Sequence, residues 1–120
     1  MHRILVVDDS EIARRELVRP LKNAGYQVDE AESGSHALDL IRANSYNLII
    51  SDVHMPVMNG IEMCEALKAD SSIAMPPVIV VSTESNADMK TRGKAAGVRA
   101  WVIKPVDGEK LAVVCKKLLE

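Results

Sequence analysis

Four places in this 120-residue chain carry side chains able to do chemistry, and each one closes an apolar run. Asp8 and Asp9 follow Ile4-Leu5-Val6-Val7, and Asp52 follows Leu48-Ile49-Ile50-Ser51. Ser82 and Thr83 follow Val78-Ile79-Val80-Val81, and Lys104 follows Ala100-Trp101-Val102-Ile103. If these runs are parallel strands of one sheet, their carboxyl ends open on a common crevice, where open α/β sheets bind ligands. Three carboxylates in one crevice repel and raise one another's pKa, a conflict that a divalent cation removes. Oxygen ligands alone point to Mg2+, which takes one or two protein carboxylates, several waters and a phosphate oxygen. The Lys104 ammonium would pair with Asp52 or with a phosphoryl oxygen, and Ser82 or Thr83 would donate to a phosphoryl group. Singly, each has a plainer reading: Asp8-Asp9-Ser10 as a helix cap, Asp52 as a turn-capping acid, Lys104 as a solvated strand end. Their joint placement at strand ends is what points to a site.

The elements that must position these groups alternate along the chain. After the first run, Ala13, Leu17, Leu21 and Ala24 recur at helical spacing over 11–24, and Gly25 closes that helix. Pro20 falls inside it and is expected to kink it. Gln27–Ala31 alternates as an edge strand does. Helical patterns follow at 35–43, from Asn59-Gly60 through Lys68, at 87–96 with Gly93 inside, and through Leu111, Val114, Cys115 and Leu118. Five strand–helix units in strict alternation predict an α/β fold: a doubly wound, five-stranded parallel sheet with helices on both faces. Strands one, three and four lack polar alternation, as strands buried on both faces should.

Composition narrows the function classes. One domain spanning 1–120 is the size-based expectation, with no output domain attached. A net charge of −2 argues against a general nucleic-acid binder, and two Tyr, one Trp and no Phe leave no base-stacking platform. No apolar run approaches the ~18 residues of a membrane span. The N-terminus lacks a signal-peptide layout, so a cytoplasmic location is expected. Cys64 and Cys115 read as small buried hydrophobes. His2, His36 and His54 do not cluster as a zinc site and read as exposed polar residues. No phosphate-binding glycine loop, GxSxG elbow or HExxH is present.

Taken in order, ILVVDDS at 4–10, LIISDVHMPVMNG at 48–60, VIVVSTE at 78–84 and WVIKP at 101–105 resemble the response-regulator receiver domains, free-standing chemotaxis members above all. The resemblance covers essentially the whole chain and implies a flavodoxin-like three-layer sandwich with strand order 2-1-3-4-5. It implies that Asp52 is the phosphoacceptor. Asp9, Asp52 and the backbone carbonyl of His54 would bind Mg2+ directly, with Asp8 acting through a bound water. Lys104 would contact the acyl phosphate. Ser82 and Trp101 would be the switch pair, in positions where relatives more often carry Thr and Tyr or Phe. His54 and Glu84 would tune the phosphate's lifetime. The implied partners are a histidine kinase as phosphodonor, a downstream protein such as the flagellar motor switch, and a phosphatase. Lys90, Lys94, Arg99 and Lys110 would form a basic docking face. A phosphorelay or phosphate-sink receiver, or a receiver cut from a longer regulator, is the alternative. An aspartyl-phosphate phosphatase of the haloacid-dehalogenase type and a flavodoxin-like electron carrier fit worse. The acids here are adjacent rather than arranged DxD, and ring-stacking aromatics are missing.

Overall fold

The β-branched runs and the helical periodicities fold where the pattern places them. The computed structural model describes residues 2–83 and 86–120. The order is β1 (Arg3–Val7), α1 (Glu11–Asn23), β2 (Gln27–Ala31), α2 (Gly34–Ala43), β3 (Leu48–Asp52), α3 (Gly60–Ala69), β4 (Val78–Ser82), α4 (Ala87–Ala95), β5 (Val98–Ile103) and α5 (Gly108–Leu119). All strand pairs are parallel, in the order β2-β1-β3-β4-β5. The expected doubly wound α/β sheet is therefore the observed one.

Strand residues alternate between two cores. Ile4, Val6, Leu48, Ile50, Ile79 and Val81 pack against Leu17 and Leu21 of α1 and Leu111 and Cys115 of α5. Leu5, Val7, Ile49, Val78 and Val80 face the opposite side, against α2 and α3. Every residue of β3 and β4 is buried, which explains their unbroken apolar runs. Both cysteines are buried and free, and burial pushes each thiol up to about 12. All three histidines are exposed. Among the described residues, no helix is long and apolar enough to cross a membrane.

Each helix starts on a side-chain cap. Ser10 accepts from Ala13 N, Ser33 from His36 N, and Asn59 forms a reciprocal capping box with Glu62. Asn86 and Asp107 cap α4 and α5. Helix α1 continues as one element through Pro20 to Asn23, and Gly25 follows at φ 96. Helix α4 is the least anchored: Gly93 is its only buried residue. A Cβ at Gly93 would sit 3.4 Å from Trp101 Cζ3 and 3.5 Å from Val98 Cγ2, so this glycine allows close packing against β5.

Candidate functional site

Parallel strand direction brings the ends of β1, β3, β4 and β5 to one edge of the sheet. Asp8 follows β1 and is 1% exposed; Asp52 ends β3 and is 8% exposed; Ser82 ends β4 and is fully buried. Lys104 follows β5, its peptide to Pro105 is cis, and its backbone N–H donates to Ser82 O at 2.9 Å. Its ammonium reaches back into the crevice and donates to Asp52 Oδ2 at 2.8 Å, with Asp8 Oδ2 at 3.5 Å. The other carboxylate oxygen of Asp52, Oδ1, accepts from His54 N at 3.1 Å.

Asp8 is held in a strained electrostatic position. Its Oδ1 accepts from Ser10 N at 2.9 Å, but Oδ2 is buried with no hydrogen-bond partner. The 3.5 Å approach of Lys104 is an ion-pair distance, too long for a good hydrogen bond. Burial raises the Asp8 pKa above its ordinary value, and the charges of Asp52 and Asp9 push the same way; the Ser10 amide and Lys104 only partly oppose this. For Lys104, burial works to lower the pKa, yet the carboxylates of Asp52 and Asp8 outweigh it and the net shift is upward. The ammonium stays charged between two acids.

Asp9 is exposed at the rim. Among the described residues, no three His, Cys, Asp or Glu side chains gather closely enough to hold an ion unaided. The three carboxylates expected in one crevice thus arrive as a buried pair bridged by an ammonium, with Asp9 beside them. That is compatible with Mg2+, which uses one or two carboxylates and fills the remaining positions with water and other oxygens. The orphaned Asp8 Oδ2 is the acceptor that such a cation, or water on it, would satisfy.

The loop from β3 to α3 packs tightly. Ser51 Oγ donates to the Asp52 carbonyl at 2.8 Å, and Gly60 N donates to Val53 O at 2.9 Å. A Cβ at Gly60 would overlap the Asp52 carbonyl oxygen. Met58 N donates to Pro56 O at 2.8 Å around Val57, whose φ is 68. This is a γ-turn in its rarer, strained sense, centred on a β-branched and fully exposed residue. Val57→Gly should therefore stabilise the fold by about 0.5–1 kcal/mol, the relieved strain exceeding the extra chain entropy of glycine. Thermal unfolding would read this as a rise of about 3–5 °C; a lower melting temperature would refute it.

Trp101 is partly buried against the core shared by α2 and α3. Lys90, Lys94, Arg99 and Lys110 are all exposed. Glu84 lies outside the described residues. Sequence reading missed three features around the acids. They are the contact of Gly60 with the backbone of Asp52, the strained turn at Val57, and Arg14, whose guanidinium donates to the Asp8 carbonyl at 2.7 Å. None has a local signal: each depends on where another element lies.

Residues 4–116 match the family described as the response regulator receiver domain. The chain is 37% identical over 111 residues to protein PilH of Pseudomonas aeruginosa, covering 92% of each. It is 38% identical over 102 residues to the gliding motility regulatory protein of Myxococcus xanthus, covering 85% of this chain but only 13% of that much longer protein. Its fold superposes on chemotaxis protein CheY4 of Vibrio cholerae with a TM-score of 0.92 at 36% identity, covering 99% of both chains. The response regulator TrrA of Thermotoga maritima, solved in complex with Mg2+-BeF, matches with a TM-score of 0.87 at 31% identity over 99% of this chain and 100% of that one.

Proposed function

Because this chain belongs to the response regulator receiver domain family, we propose that it is a phosphorylation-driven signalling switch whose acceptor is Asp52. The observation that carries this reading is the pairing of Asp52 with Lys104 beside the orphaned oxygen of Asp8. A lone surface acid would have no reason to share a partly buried ammonium with a second, unsatisfied carboxylate.

The residues divide the work. An Asp52 carboxylate oxygen attacks the phosphorus of a phosphohistidine on a partner kinase. A P–O bond forms, the P–N bond breaks, and its electron pair returns to the imidazole. Lys104, already 2.8 Å from Asp52 Oδ2, is placed to neutralise the oxygens of the transferring group as charge develops. Asp9, Asp52 and the His54 carbonyl would hold Mg2+, with Asp8 reached through a bound water. When bound, that ion supplies charge neutralisation and in-line orientation for phosphoryl transfer. Positioning and charge stabilisation are nearly all that this reaction asks of the protein. The chain then modifies only itself and turns over no free metabolite. His54, exposed two residues beyond Asp52, stands where it can tune the later attack of water, a role we extend to Glu84.

Signalling follows from two-state logic. A phosphoryl group adds acceptor oxygens that favour any state offering it a better donor. Ser82 is the nearest switch hydroxyl by sequence placement, and its carbonyl is already tied to Lys104 N. Its movement would release space for Trp101, which packs under the Gly93 step of α4. The readout would be the exposed basic face of Lys90, Lys94, Arg99 and Lys110, offered to an acidic protein segment. The names of the relatives support a target in chemotaxis or motility; the flagellar motor switch is the target we propose. A phosphatase would be a further partner.

The test is intact mass and Trp101 fluorescence after adding acetyl phosphate, with and without Mg2+. The expected result is a single phosphoryl gain and a fluorescence change, both Mg2+-dependent. A mass gain with unchanged fluorescence would remove Trp101 from the switch. No gain with Mg2+ present would overturn the reading.

A further inference from the structure

Arg14 opens the second turn of α1, a helix whose neighbouring arginines Arg15 and Arg19 are exposed. It is nonetheless largely buried there, its side chain 14% exposed. Helical side chains lean toward the N-terminus, so the guanidinium lies back over the β1–α1 loop. Nη1 donates to the Asp8 carbonyl at 2.7 Å, while Nε donates to Glu30 Oε1 of β2 at 3.2 Å. The Asp8 N–H is spent on Ala31 O at 3.1 Å, and Asp8 Oδ1 on the Ser10 amide. The peptide between Asp8 and Asp9 is thus held from outside by one side chain, which is itself braced against the neighbouring strand.

We infer that Arg14 is a positioning residue for the acids of the cation site, acting by pinning the Asp8–Asp9 peptide through its bridge to Glu30; this rests on the Mg2+ reading above. Fixing that carbonyl restricts the torsions on either side of it. It thereby sets where both carboxylates point, as groups behind metal ligands commonly do. Arginine suits the task because its planar fork reaches two acceptors at once, which a lysine ammonium on a flexible stem does not reproduce.

The sign of the effect separates positioning from charge. Removing a cation beside a cluster of acids should, by Coulomb's law alone, strengthen the binding of another cation. Positioning predicts the reverse. The experiment titrates MgCl2 into 15N-labelled protein and follows backbone amide shifts, for wild type, Arg14→Gln, Arg14→Lys and the control Arg19→Gln. Arg19→Gln removes the same charge from an exposed position on the same helix. Arg14→Gln is expected to weaken Mg2+ binding about tenfold, and Arg14→Lys to fall between it and wild type. Arg19→Gln should stay within about twofold, its charge being screened by solvent. Metal-free hydrogen exchange at the Asp9 and Ser10 amides should be several-fold faster in Arg14→Gln. Mg2+ affinity equal to or tighter than wild type in Arg14→Gln, or unchanged exchange at those amides, would overturn the inference. If wild-type protein shows no Mg2+-induced shifts at residues 8–10 and 52–54, the metal reading itself falls. The exchange data then decide separately whether Arg14 holds the loop.

Discussion

Asp52→Asn should abolish phosphoryl gain from acetyl phosphate while leaving the fold intact. The substitution keeps the size of the side chain and its place at the end of β3. It removes the negative charge that makes one oxygen nucleophilic. The two oxygens of Asp52 are both in use, Oδ1 on His54 N and Oδ2 on Lys104 Nζ. An asparagine can keep only one of these acceptors, and its amide group must then face a donor. The cost of that mismatch is about 1–2 kcal/mol, a modest share of the stability of a domain this size. Relief of the repulsion between Asp52 and the buried Asp8 offsets part of it. The expected outcome is therefore a variant that melts within a few degrees of wild type yet shows no mass gain at any Mg2+ concentration. Intact mass and thermal unfolding on the same sample check both halves. A residual phosphoryl gain would move the acceptor to another acid, Asp8, which shares the Lys104 ammonium with Asp52, being the first to test.

Gly60→Ala should have the largest structural effect among the glycine-to-alanine changes. The added carbon would overlap the backbone oxygen of Asp52 and lie 3.0 Å from Ser51 Oγ and 3.1 Å from the Asp52 carbonyl carbon. The two Asp52 atoms are backbone of a buried central strand, so they cannot step aside as a flexible side-chain tip would. Either α3 lifts away from the sheet or the end of β3 shifts. The first exposes Ile61, Cys64 and Leu67; the second displaces Asp52. Overpacking of this kind costs about 3 kcal/mol. At roughly 5 °C per kcal/mol, the melting temperature should fall by about 15 °C. Gly25→Ala is the contrast: φ is 96 there, but a Cβ meets nothing within 4 Å. Its cost is backbone strain alone, about 1 kcal/mol. If the two variants melt alike, the close approach of α3 to Asp52 is not the constraint described.

The two glycines also show what a sequence can and cannot disclose. Gly25 announces itself, because it stands after the last periodic residue of α1 and a helix end is a local pattern. Gly60 reads only as the start of a helix; its contact with Asp52 depends on how α3 lies against β3. The same division runs through the site. Strand-like runs, helical spacing and the chemistry-bearing residues at the run ends are properties of neighbouring positions, so the alternating α/β order and the candidates Asp8, Asp9, Asp52, Ser82 and Lys104 were legible directly. The strand order came with the family resemblance rather than from periodicity.

Tertiary structure decided which of those candidates meet. Lys104 lies 52 positions from Asp52, and only parallel pairing of β3, β4 and β5 brings its ammonium within 2.8 Å. Burial separated Asp8 from Asp9, turning one inward with an orphaned oxygen and leaving the other at the rim. The positive φ of Val57 and the reach of Arg14 to the Asp8 carbonyl have no counterpart in the local sequence. Periodicity reports which face of an element is buried, because burial acts on every residue of that face. It is silent on side-chain contacts across elements, which are set by crossover, register and the tilt of one helix on the sheet.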